Sequence, residues 1–369
     1  MLEEKEVVEK KKFGIGIVTI LTILLIVVVL VGIVFIMRVM GKQKLTSSGA
    51  GTEIVEIGET DASLAEGQIL YDGNIYERNE DLITILIMGI DKETYTEVGG
   101  ASWEEEEGSE LAGGQADALF LLLLNPHNKQ ADLIAINRNS MTDVDVFDAD
   151  GNYTGVFTKQ IALQHGYGDG GEESCKRQVQ AVSRMFHNIP IDSYAALSMD
   201  AIPELNDAVG GITVDVLDDI IYPEYDMDLH QGDAVTLYGE KAYWYIRLRN
   251  EDEFNSNELR LKRQKQYMTA FAAAAKQKAS SDIRVAVQLF QLAQKYMVTN
   301  IDLSSFTYLA TEALGYQFNI ENIYSLEGET LQGNQFEEFY VDDDALQDLI
   351  IRLFYELVEE DAALSSADS

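Results

Sequence analysis

An uncharged apolar segment near the N-terminus constrains this chain more than any other feature. Residues 13–37, FGIGIVTILTILLIVVVLVGIVFIM, form a run of 25 residues without a charged side chain. As a helix rising about 1.5 Å per residue, the run would span about 37 Å, which exceeds the roughly 30 Å hydrocarbon core of a bilayer. The sequence therefore predicts a single transmembrane helix that crosses the membrane with some tilt.

The flanks of this segment predict its orientation. The run is longer than the about 7–15 apolar residues of a signal peptide, and no small-residue cleavage site follows it, so we interpret it as an uncleaved anchor. Lys10, Lys11 and Lys12 precede it directly. A long C-terminal domain is translocated largely regardless of its charge. We therefore expect a cytoplasmic tail at residues 1–12 and a C-terminal domain on the extracellular side of the cell membrane.

The net charge disfavours one class of partner. The chain contains 63 acidic residues against 27 lysines and arginines, which gives a formal net charge of −36. Binding to nucleic acid needs a basic face that releases counterions from the phosphates. We therefore expect no nucleic-acid partner. The single cysteine, Cys175, excludes an internal disulfide, and a free cysteine is usually a small buried apolar residue.

Beyond the apolar segment the sequence divides into a spacer and one folded domain. Residues 38–67 are rich in Gly, Ser, Thr and Glu and show no sustained hydrophobic period, which predicts an extracytoplasmic stalk. Residues 68–360 carry the apolar patterns of a folded domain. The last residues, 361–369, are predicted to be disordered.

The folded domain is predicted to be an α/β domain with a central mixed β-sheet flanked by helices. Three short apolar runs, each bounded by turn residues, have the pattern of buried strands: ITILIMGI (83–90), ALFLLLL (118–124) and DLIAINR (132–138). The segment ILYDGNIY predicts a hairpin over an Asp-Gly turn. Other strands are predicted near 212–216 and 242–249, and helices at about 173–187, 200–208, 258–278, 281–298 and 303–314. A final strand and helix are predicted within FEEFYVDDDALQDLIIRLFYELVEE.

Pairing of these runs would gather charged side chains at one edge of the sheet. The turn NPHNKQA joins the second and third runs, so antiparallel pairing would bring Asp117 close to Arg138. Antiparallel pairing of the first run would add Asp91. Two carboxylates beside an arginine could hold Mg²⁺ against a phosphate, because Mg²⁺ combines one or two carboxylates with phosphate oxygens and water. The alternative is ordinary aspartate chemistry at strand ends.

A basic stretch, WYIRLRNEDEFNSNELRLKRQKQ, stands out against the acidic composition. Strand alternation would place Arg247 and Arg249 on one face. Helical spacing would place Arg260, Arg263 and Gln264 on one face. Guanidinium groups bind phosphate through two parallel hydrogen bonds, so a pyrophosphate would suit such a cluster. A solvated basic face neutralised by the acidic residues of the same stretch is the alternative.

Taken in order, these segments resemble the LytR-CpsA-Psr (LCP) family. The resemblance covers roughly residues 68–355 and rests on ILIMGIDK, QADALFLLLLNP, LIAINRNS, IPIDSYAALSMDAIPELNDAVGGITVDV and AYWYIRLR followed by LRLKRQKQ. It implies an extracytoplasmic enzyme of Gram-positive bacteria behind one anchor helix. Such an enzyme transfers a glycopolymer from a polyprenyl pyrophosphate carrier to peptidoglycan through Mg²⁺-assisted phosphoryl transfer.

The same resemblance implies roles for individual residues. Asp91 and Asp117 match the metal-associated carboxylates. The other matched positions form the pyrophosphate-binding set. Those expected to be catalytic are Arg138, Arg249 and Arg263, and those expected to bind substrate are Arg247, Arg260 and Gln264.

Three departures from the family pattern leave an alternative open. Gln115 stands where the family usually has Arg, Asn139 stands where it usually has Asp, and FNSNEL replaces a Gly-Asp pair before the first helix arginine. Asn139 cannot accept a proton as a carboxylate can, so the general base is not assigned. A catalytically weak protein that binds polyprenyl phosphate or wall polymer is therefore the alternative. A transcriptional attenuator is disfavoured by the acidic domain.

The orientation of the anchor can be tested in intact cells. Protease added outside protoplasts should digest the domain after residue 44, because we expect that domain to lie outside the membrane. Immunoblotting against the C-terminal domain would follow the cleavage. Protection of residues 45–369 until the membrane is permeabilised would reverse the topology.

Overall fold

The computed structural model describes most of the chain beyond residue 37. The described residues are 38, 40–45, 64–65, 67–91, 113–148, 150–249, 256–282, 284–313, 315–317, 320–333 and 336–358. The predicted cytoplasmic tail (1–12), transmembrane helix (13–37) and disordered tail (361–369) lie outside these residues. Within the described ranges, no helix is both long and apolar enough to cross a membrane.

The described residues form a mixed α/β fold. The helices are α1 (Glu172–Met185), α2 (Ile202–Ala208), α3 (Glu240–Arg247), α4 (Ser256–Ser281), α5 (Arg284–Ala293), α6 (Leu303–Ala313) and α7 (Asp343–Phe354). The strands are β1 (Gln68–Tyr71), β2 (Asn74–Arg78), β3 (Ile83–Asp91), β4 (Gln115–Asn125), β5 (Gln130–Ile136), β6 (Met141–Phe147), β7 (Tyr153–Gln160), β8 (Ser193–Ser198), β9 (Ile212–Asp215), β10 (Ile220–Tyr222), β11 (Met227–Leu229), β12 (Ala234–Leu237), β13 (Met297–Thr299), β14 (Ile323–Ser325), β15 (Gly328–Gln332), β16 (Glu337–Val341) and β17 (Tyr355–Leu357).

A six-stranded mixed sheet in the order β13-β8-β3-β4-β5-β14 forms the centre. Strands β3, β4 and β5 pair antiparallel, as their sequences predict. Strand β8 joins β3 in parallel and β14 joins β5 in parallel, which makes the sheet mixed. The predicted hairpin over Asp72 and Gly73 is also confirmed, because both residues adopt positive φ angles between β1 and β2.

Both faces of the central sheet are covered, which explains why its strands are apolar without alternation. On one face, Leu119, Leu121 and Ile134 pack in the main core with residues of α1 and α7. On the other face, Phe120 and Leu133 pack against side chains of α4. Helix α4 also packs against a separate cluster built from α3 and the strands β9–β12. It therefore joins the sheet to that smaller cluster.

The strand predicted near 242–249 is wrong, since residues Glu240–Arg247 form helix α3. The buried residues of α3 are Ala242, Tyr243, Tyr245 and Ile246, and the spacing of 242, 243 and 246 fits a helical face. The alternation of Tyr and Arg suggested a strand, but contacts with α2 and α4 select the helix. Arg247 and Arg249 therefore do not share a strand face: Arg247 ends the helix, and the chain is extended at Leu248.

Other regions also differ from the sequence prediction: strand β8 is not predicted, and residues Met297–Thr299, expected at the end of a helix, form strand β13. The C-terminal apolar pattern predicts one helix after the last strand, but α7 ends at Phe354 and β17 follows. Strand β17 pairs with β2, so backbone pairing replaces the helix there. A hairpin of β6 and β7 lies where no strand is predicted. Most β7 side chains are exposed or half-buried, so no apolar run marks that strand in the sequence.

Residues 38 and 40–45, at the start of the predicted stalk, are helical and pack on the domain. Leu45 is buried in a cluster with Ile83, Ile85 and Tyr308. The basic residues of this segment meet carboxylates of the domain: Arg38 pairs with Glu312, Lys42 with Asp81 and Lys44 with Asp302. The first residues of the predicted stalk therefore pack on the domain, and residues 46–63 of that stalk lie outside the described residues.

The packing of this segment can be tested at Gly41. A Cβ atom at Gly41 would lie 2.1 Å from the carbonyl oxygen of Ser304, so Gly41→Val should displace the helix. The displacement would expose Leu45, whose burial is worth roughly 1.5–3 kcal/mol. Amide hydrogen exchange at residues 40–45 should then accelerate by about tenfold or more.

Gln43→Val is the matched control, because it puts the same side chain at an exposed position of the same helix. Equal exchange rates for Gly41→Val and the unmodified chain would show that the segment is not held by this contact.

Candidate functional site

Asp117 and Arg138 meet at one edge of the central sheet, as the strand pairing predicts. Arg138 Nη2 lies 3.2 Å from Asp117 Oδ1, and each side chain is only 13% exposed. Arg138 also donates a hydrogen bond to Gln115 Oε1. The backbone of Asp91 pairs with that of Gln115, so Asp91 reaches the same edge. The side chain of Asp91 lies outside the described part of the structure.

Two asparagines connect this sheet edge to helix α4. Asn137 Oδ1 accepts hydrogen bonds from the backbone N–H of Asn139 at 3.0 Å and from Asn257 Nδ2 at 2.6 Å. Asn257 Oδ1 in turn accepts from Arg260 Nη2 at 2.7 Å. The end of β5 therefore fixes the first turn of α4 and orients Arg260. The sequence analysis did not single out Asn137 or Asn257, although both lie within the segments LIAINRNS and FNSNEL.

Arg260 belongs to a group of four neighbouring arginines, of which Arg260 and Arg263 are buried and Arg138 and Arg249 are half-buried. The pKa of Arg260 is lowered to about 9, chiefly because burial disfavours the charged guanidinium. The charges of Arg138, Arg249 and Arg263 contribute to this lowering, while Asp117 raises the pKa. We call Arg138, Arg249, Arg260 and Arg263 the guanidinium cluster. Burying cations together is unfavourable unless anions compensate them.

Arg263 is buried against the backbone that precedes Arg249. It is 1% exposed, and its guanidinium donates to the carbonyl oxygens of Tyr245, at 2.8 Å, and of Leu248. Its Nε lies 3.4 Å from Asp218 Oδ1. Burial lowers the pKa of Arg263 although the Asp218 carboxylate raises it. These contacts hold the end of α3 and thereby the position of Arg249.

Gln264 and Arg247 also contact α3. Gln264 is buried, and its Nε2 donates to the carbonyl oxygen of Ile246 at 3.2 Å. Arg247 donates to the hydroxyl of Tyr243 and lies 5.7 Å from the ring centroid of Trp244. The contacts of Arg247 lie within α3, whereas that of Gln264 joins α4 to α3. Together they fix the backbone at the end of α3. Sequence spacing could not reveal these carbonyl acceptors, since they belong to the backbone of another helix.

Asn139, which stands where the family usually has Asp, is buried and hydrogen-bonded. Its Oδ1 accepts from Gln160 Nε2 at 3.3 Å, and its carbonyl oxygen accepts from the backbone N–H of Phe339. The side chain therefore joins strand β7 to the sheet edge. These hydrogen bonds give Asn139 a structural role that does not depend on proton transfer.

Asp117 is the carboxylate that fits a cation at this edge. Its Oδ1 is buried and receives no hydrogen bond, although it forms the ion pair with Arg138. Among the described residues, no group of three or more His, Cys, Asp or Glu side chains forms a protein-only metal site. An Mg²⁺ ion needs only one or two carboxylates when phosphate oxygens and water complete its shell. Asp117 can supply one such carboxylate, and the backbone of Asp91 on the neighbouring strand reaches the same end of the sheet.

Comparison with known protein families gives a match over most of the chain. A sequence model described as the LytR_cpsA_psr family matches residues 48–353. The chain is 28% identical over 269 residues to Biofilm regulatory protein A of Streptococcus mutans, covering 70% of this chain but only 60% of that protein. It is 24% identical over 278 residues to the polyisoprenyl-teichoic acid–peptidoglycan teichoic acid transferase TagU of Bacillus subtilis (strain 168), covering 75% of this chain and 79% of that protein.

A solved structure shares the fold. The crystal structure of B. subtilis TagV superposes with a TM-score of 0.55 at 24% sequence identity. The match covers 74% of this chain and 95% of the TagV chain. At this identity the likeness supports the mixed α/β architecture around a central sheet.

Substitution of one arginine of the guanidinium cluster should weaken anion binding but leave the stability of the fold nearly unchanged. Arg260→Gln removes a buried positive charge but keeps an N–H donor for Asn257, so the ligand-free melting temperature should not fall by more than a few degrees. Binding of inorganic pyrophosphate should weaken by about one to two decades, because a charge-assisted hydrogen bond contributes roughly 1.5–3 kcal/mol. Isothermal titration calorimetry would measure the affinity, and thermal shift the stability.

Lys262→Gln is the control, since Lys262 is exposed on the same helix. If both variants lost pyrophosphate binding equally, the basic residues would act as a diffuse charged surface and the assignment of the cluster would be wrong.

Proposed function

Because the chain belongs to the LytR-CpsA-Psr family, we propose that it is a transferase that moves a glycopolymer from a polyprenyl pyrophosphate carrier to peptidoglycan. Relatives that match 66% and 75% of this chain are named polyisoprenyl-teichoic acid–peptidoglycan teichoic acid transferases. The glycopolymer handled by this chain is not specified by those names. The donor proposed here is therefore defined by its chemistry, a saccharide joined to a prenyl pyrophosphate.

The burial of the guanidinium cluster is the observation that carries this proposal. Arg260 and Arg263 are at most 5% exposed, and among the described residues Asp117 raises the pKa of Arg260 and Asp218 that of Arg263. A pyrophosphate would bring further negative charge and accept several N–H donors at once. The cluster is therefore suited to an anion with two adjacent phosphates.

Some residues of the site would contact the phosphates, and others would hold those residues in position. Arg138, Arg249 and Arg260 would bind phosphate oxygens and stabilise the charge that develops as the phosphoryl group is transferred. Arg263 and Gln264 would position Arg249 through their hydrogen bonds to the backbone of α3 and Leu248. Arg247 would support the same turn through Tyr243. This division revises the expectation that Arg263 is catalytic and that Arg247 and Gln264 bind substrate.

The transfer itself exchanges one phosphorus–oxygen bond for another. A sugar hydroxyl of peptidoglycan attacks the phosphorus that carries the glycopolymer, and the bond to the carrier's own phosphate breaks with its electron pair. Polyprenyl phosphate leaves, and the hydroxyl proton passes to solvent. Phosphoryl transfer depends chiefly on positioning and charge stabilisation, so a carboxylate at position 139 is not essential.

Mg²⁺ is the proposed cofactor, and Asp117 and Asp91 are the residues that would hold it. When bound, the ion would neutralise phosphate charge beside the arginines. Asp117 pairs with Arg138 in the structure, so it would divide its charge between that arginine and a bound ion. We propose that Arg138 then binds the phosphate in place of the Asp117 carboxylate.

Anchoring in the cell membrane, with the domain outside, completes the proposal. The predicted transmembrane helix ends at residue 37, and residues 38 and 40–45 pack directly on the domain through Leu45 and three ion pairs. The domain would therefore lie close to the bilayer, where a lipid-linked donor is found. This placement does not require a long flexible spacer.

A second candidate is a protein that binds the lipid-linked polymer without transferring it. Asn139 carries no carboxylate, and Gln115 offers Arg138 a neutral acceptor where the family usually has a further cation. Both features could lower turnover while leaving phosphate binding intact. A measurement of turnover therefore distinguishes the transferase from the binding protein.

The proposed reaction can be followed with a synthetic saccharide linked to a short prenyl pyrophosphate. The 369-residue chain in detergent should release prenyl phosphate in the presence of Mg²⁺ and a glycan acceptor. Arg138→Ala should lower kcat on the order of 10³-fold, as when an arginine that stabilises phosphoryl charge is removed. Arg138→Lys should recover only part of the rate, because an ammonium keeps the charge but loses the fork.

Binding without transfer or hydrolysis at any Mg²⁺ concentration would support the second candidate. Lys262→Ala serves as the control for a general loss of positive charge.

A further inference from the structure

A cavity separate from the guanidinium cluster opens beside β14, the last strand of the central sheet. Its volume is about 750 Å³, and its walls come from strand β14, helix α7 and the hairpin of β1 and β2. Pockets that bind small molecules commonly measure about 300–1,000 Å³. The cavity is therefore large enough for a ligand of several rings or for part of a polymer.

The lining changes from apolar to aromatic to charged between floor and rim. The buried side chains of Leu326, Leu346 and Leu349 form the floor and belong to the main core. Half-buried tyrosines, Tyr71 and Tyr324, form the walls together with Tyr76 and Tyr355. The exposed charged residues of the rim are Glu327, Asp348 and Arg352.

Neighbouring side chains orient the tyrosine rings. The hydroxyl of Tyr71 donates to Asp348 Oδ1, and this hydrogen bond raises the pKa of Tyr71 to about 12. The hydroxyl of Tyr324 donates to Asp132 Oδ1 at 3.3 Å, while the guanidinium of Arg352 lies 4.8 Å from the centroid of the Tyr324 ring. Carboxylates thus hold the two hydroxyl groups, and Arg352 lies over one face of the Tyr324 ring, so a stacked ligand would use the other face.

We propose that this cavity binds a carbohydrate chain through stacking on Tyr324 and hydrogen bonds to Asp348 and Arg352. A sugar ring has an apolar C–H face and a rim of hydroxyl groups, and the cavity offers aromatic faces beside polar donors and acceptors. The rim carries two carboxylates against one guanidinium, which disfavours a polymer dense in phosphate. The charged rim and tyrosine hydroxyls disfavour a prenyl chain, which cannot form hydrogen bonds.

The position of the cavity suggests which carbohydrate it holds, on the premise of the proposed transferase function. Ser325 lines the cavity and pairs with Ala135 in the central sheet. Arg138 follows Ala135 by three residues, so the backbones of these two residues lie within about 10 Å of each other. Ser325 also accepts a hydrogen bond from Lys265 on the helix that carries Arg260. The cavity lies against α7, while α4 covers the opposite face of the sheet. A glycan of the acceptor held in the cavity would therefore pass around the edge strand β14 to bring its hydroxyl group to the phosphate.

Binding of a neutral glycan tests the cavity without any chemistry. The probe is a β-1,4-linked oligomer of N-acetylglucosamine, titrated into the 369-residue chain in detergent and followed by saturation-transfer NMR. Tyr324→Ala should weaken binding by about tenfold, because an aromatic contact contributes roughly 0.5–1.5 kcal/mol in addition to buried area. Tyr324→Phe should stay within a few fold of the unmodified chain, since it keeps the ring.

Two further variants separate a local loss of binding from misfolding. Ala345→Trp fills the cavity from helix α7 and should abolish binding while leaving the melting temperature within a few degrees. Tyr153→Ala removes an exposed tyrosine from the hairpin of β6 and β7 and should leave binding unchanged. The inference is overturned if the unmodified chain shows no saturable binding, or if neither Tyr324→Ala nor Ala345→Trp weakens it.

The donor reaction distinguishes failure of this inference from failure of the proposed function. Tyr324→Ala should raise KM for the glycan acceptor about tenfold and leave hydrolysis of the prenyl pyrophosphate unchanged. Glycan binding that depends on Tyr324 in a chain without donor chemistry would support the cavity and reject the transferase. Donor chemistry with an acceptor KM insensitive to Tyr324 would reject the cavity as the acceptor site.

Discussion

The burial of several arginines between a sheet edge and two helices is the constraint that organises this domain. A buried guanidinium needs carbonyl or carboxylate partners, and Arg263 finds them in Tyr245, Leu248 and Asp218. Those partners fix how α3 meets α4. Arg260 is compensated less completely, as its lowered pKa indicates. The same burial that holds the helices together therefore concentrates positive charge at this end of the sheet, where we propose that pyrophosphate binds.

Basic residues that are neighbours in the sequence have different partners in this domain. Arg260 and Arg263 are neighbours on one helical face, yet Arg263 binds backbone carbonyls while Arg260 contacts the amide of Asn257. Asn137 and Asn257 carry no charge, but they connect the sheet edge to the helix that bears the cluster. Residues that position the arginines are thus as necessary to the site as those that would contact phosphate. A loss of activity alone would not separate the two roles.

Three features of the domain suggest an ordered path for the proposed substrates. The helical residues 38 and 40–45 pack beside β3 and α6, the guanidinium cluster lies at one edge of the central sheet, and the tyrosine-lined cavity opens beside its last strand, β14. A lipid-linked donor would arrive from the membrane and a glycan from the wall. The central sheet holds the cluster and the cavity in fixed relation because both are attached to β5 or its neighbour β14.

The sequence by itself determined the antiparallel order of β3, β4 and β5 and the meeting of Asp117 with Arg138, because short turns and apolar runs specify local pairing. Its ordered motifs also indicated the family. Tertiary structure alone decided that residues 240–247 form a helix, that Arg263 binds backbone carbonyls, that Leu45 is buried and that tyrosines from both ends of the domain share a cavity. These features depend on contacts between distant segments, and such contacts leave no periodic pattern in the sequence.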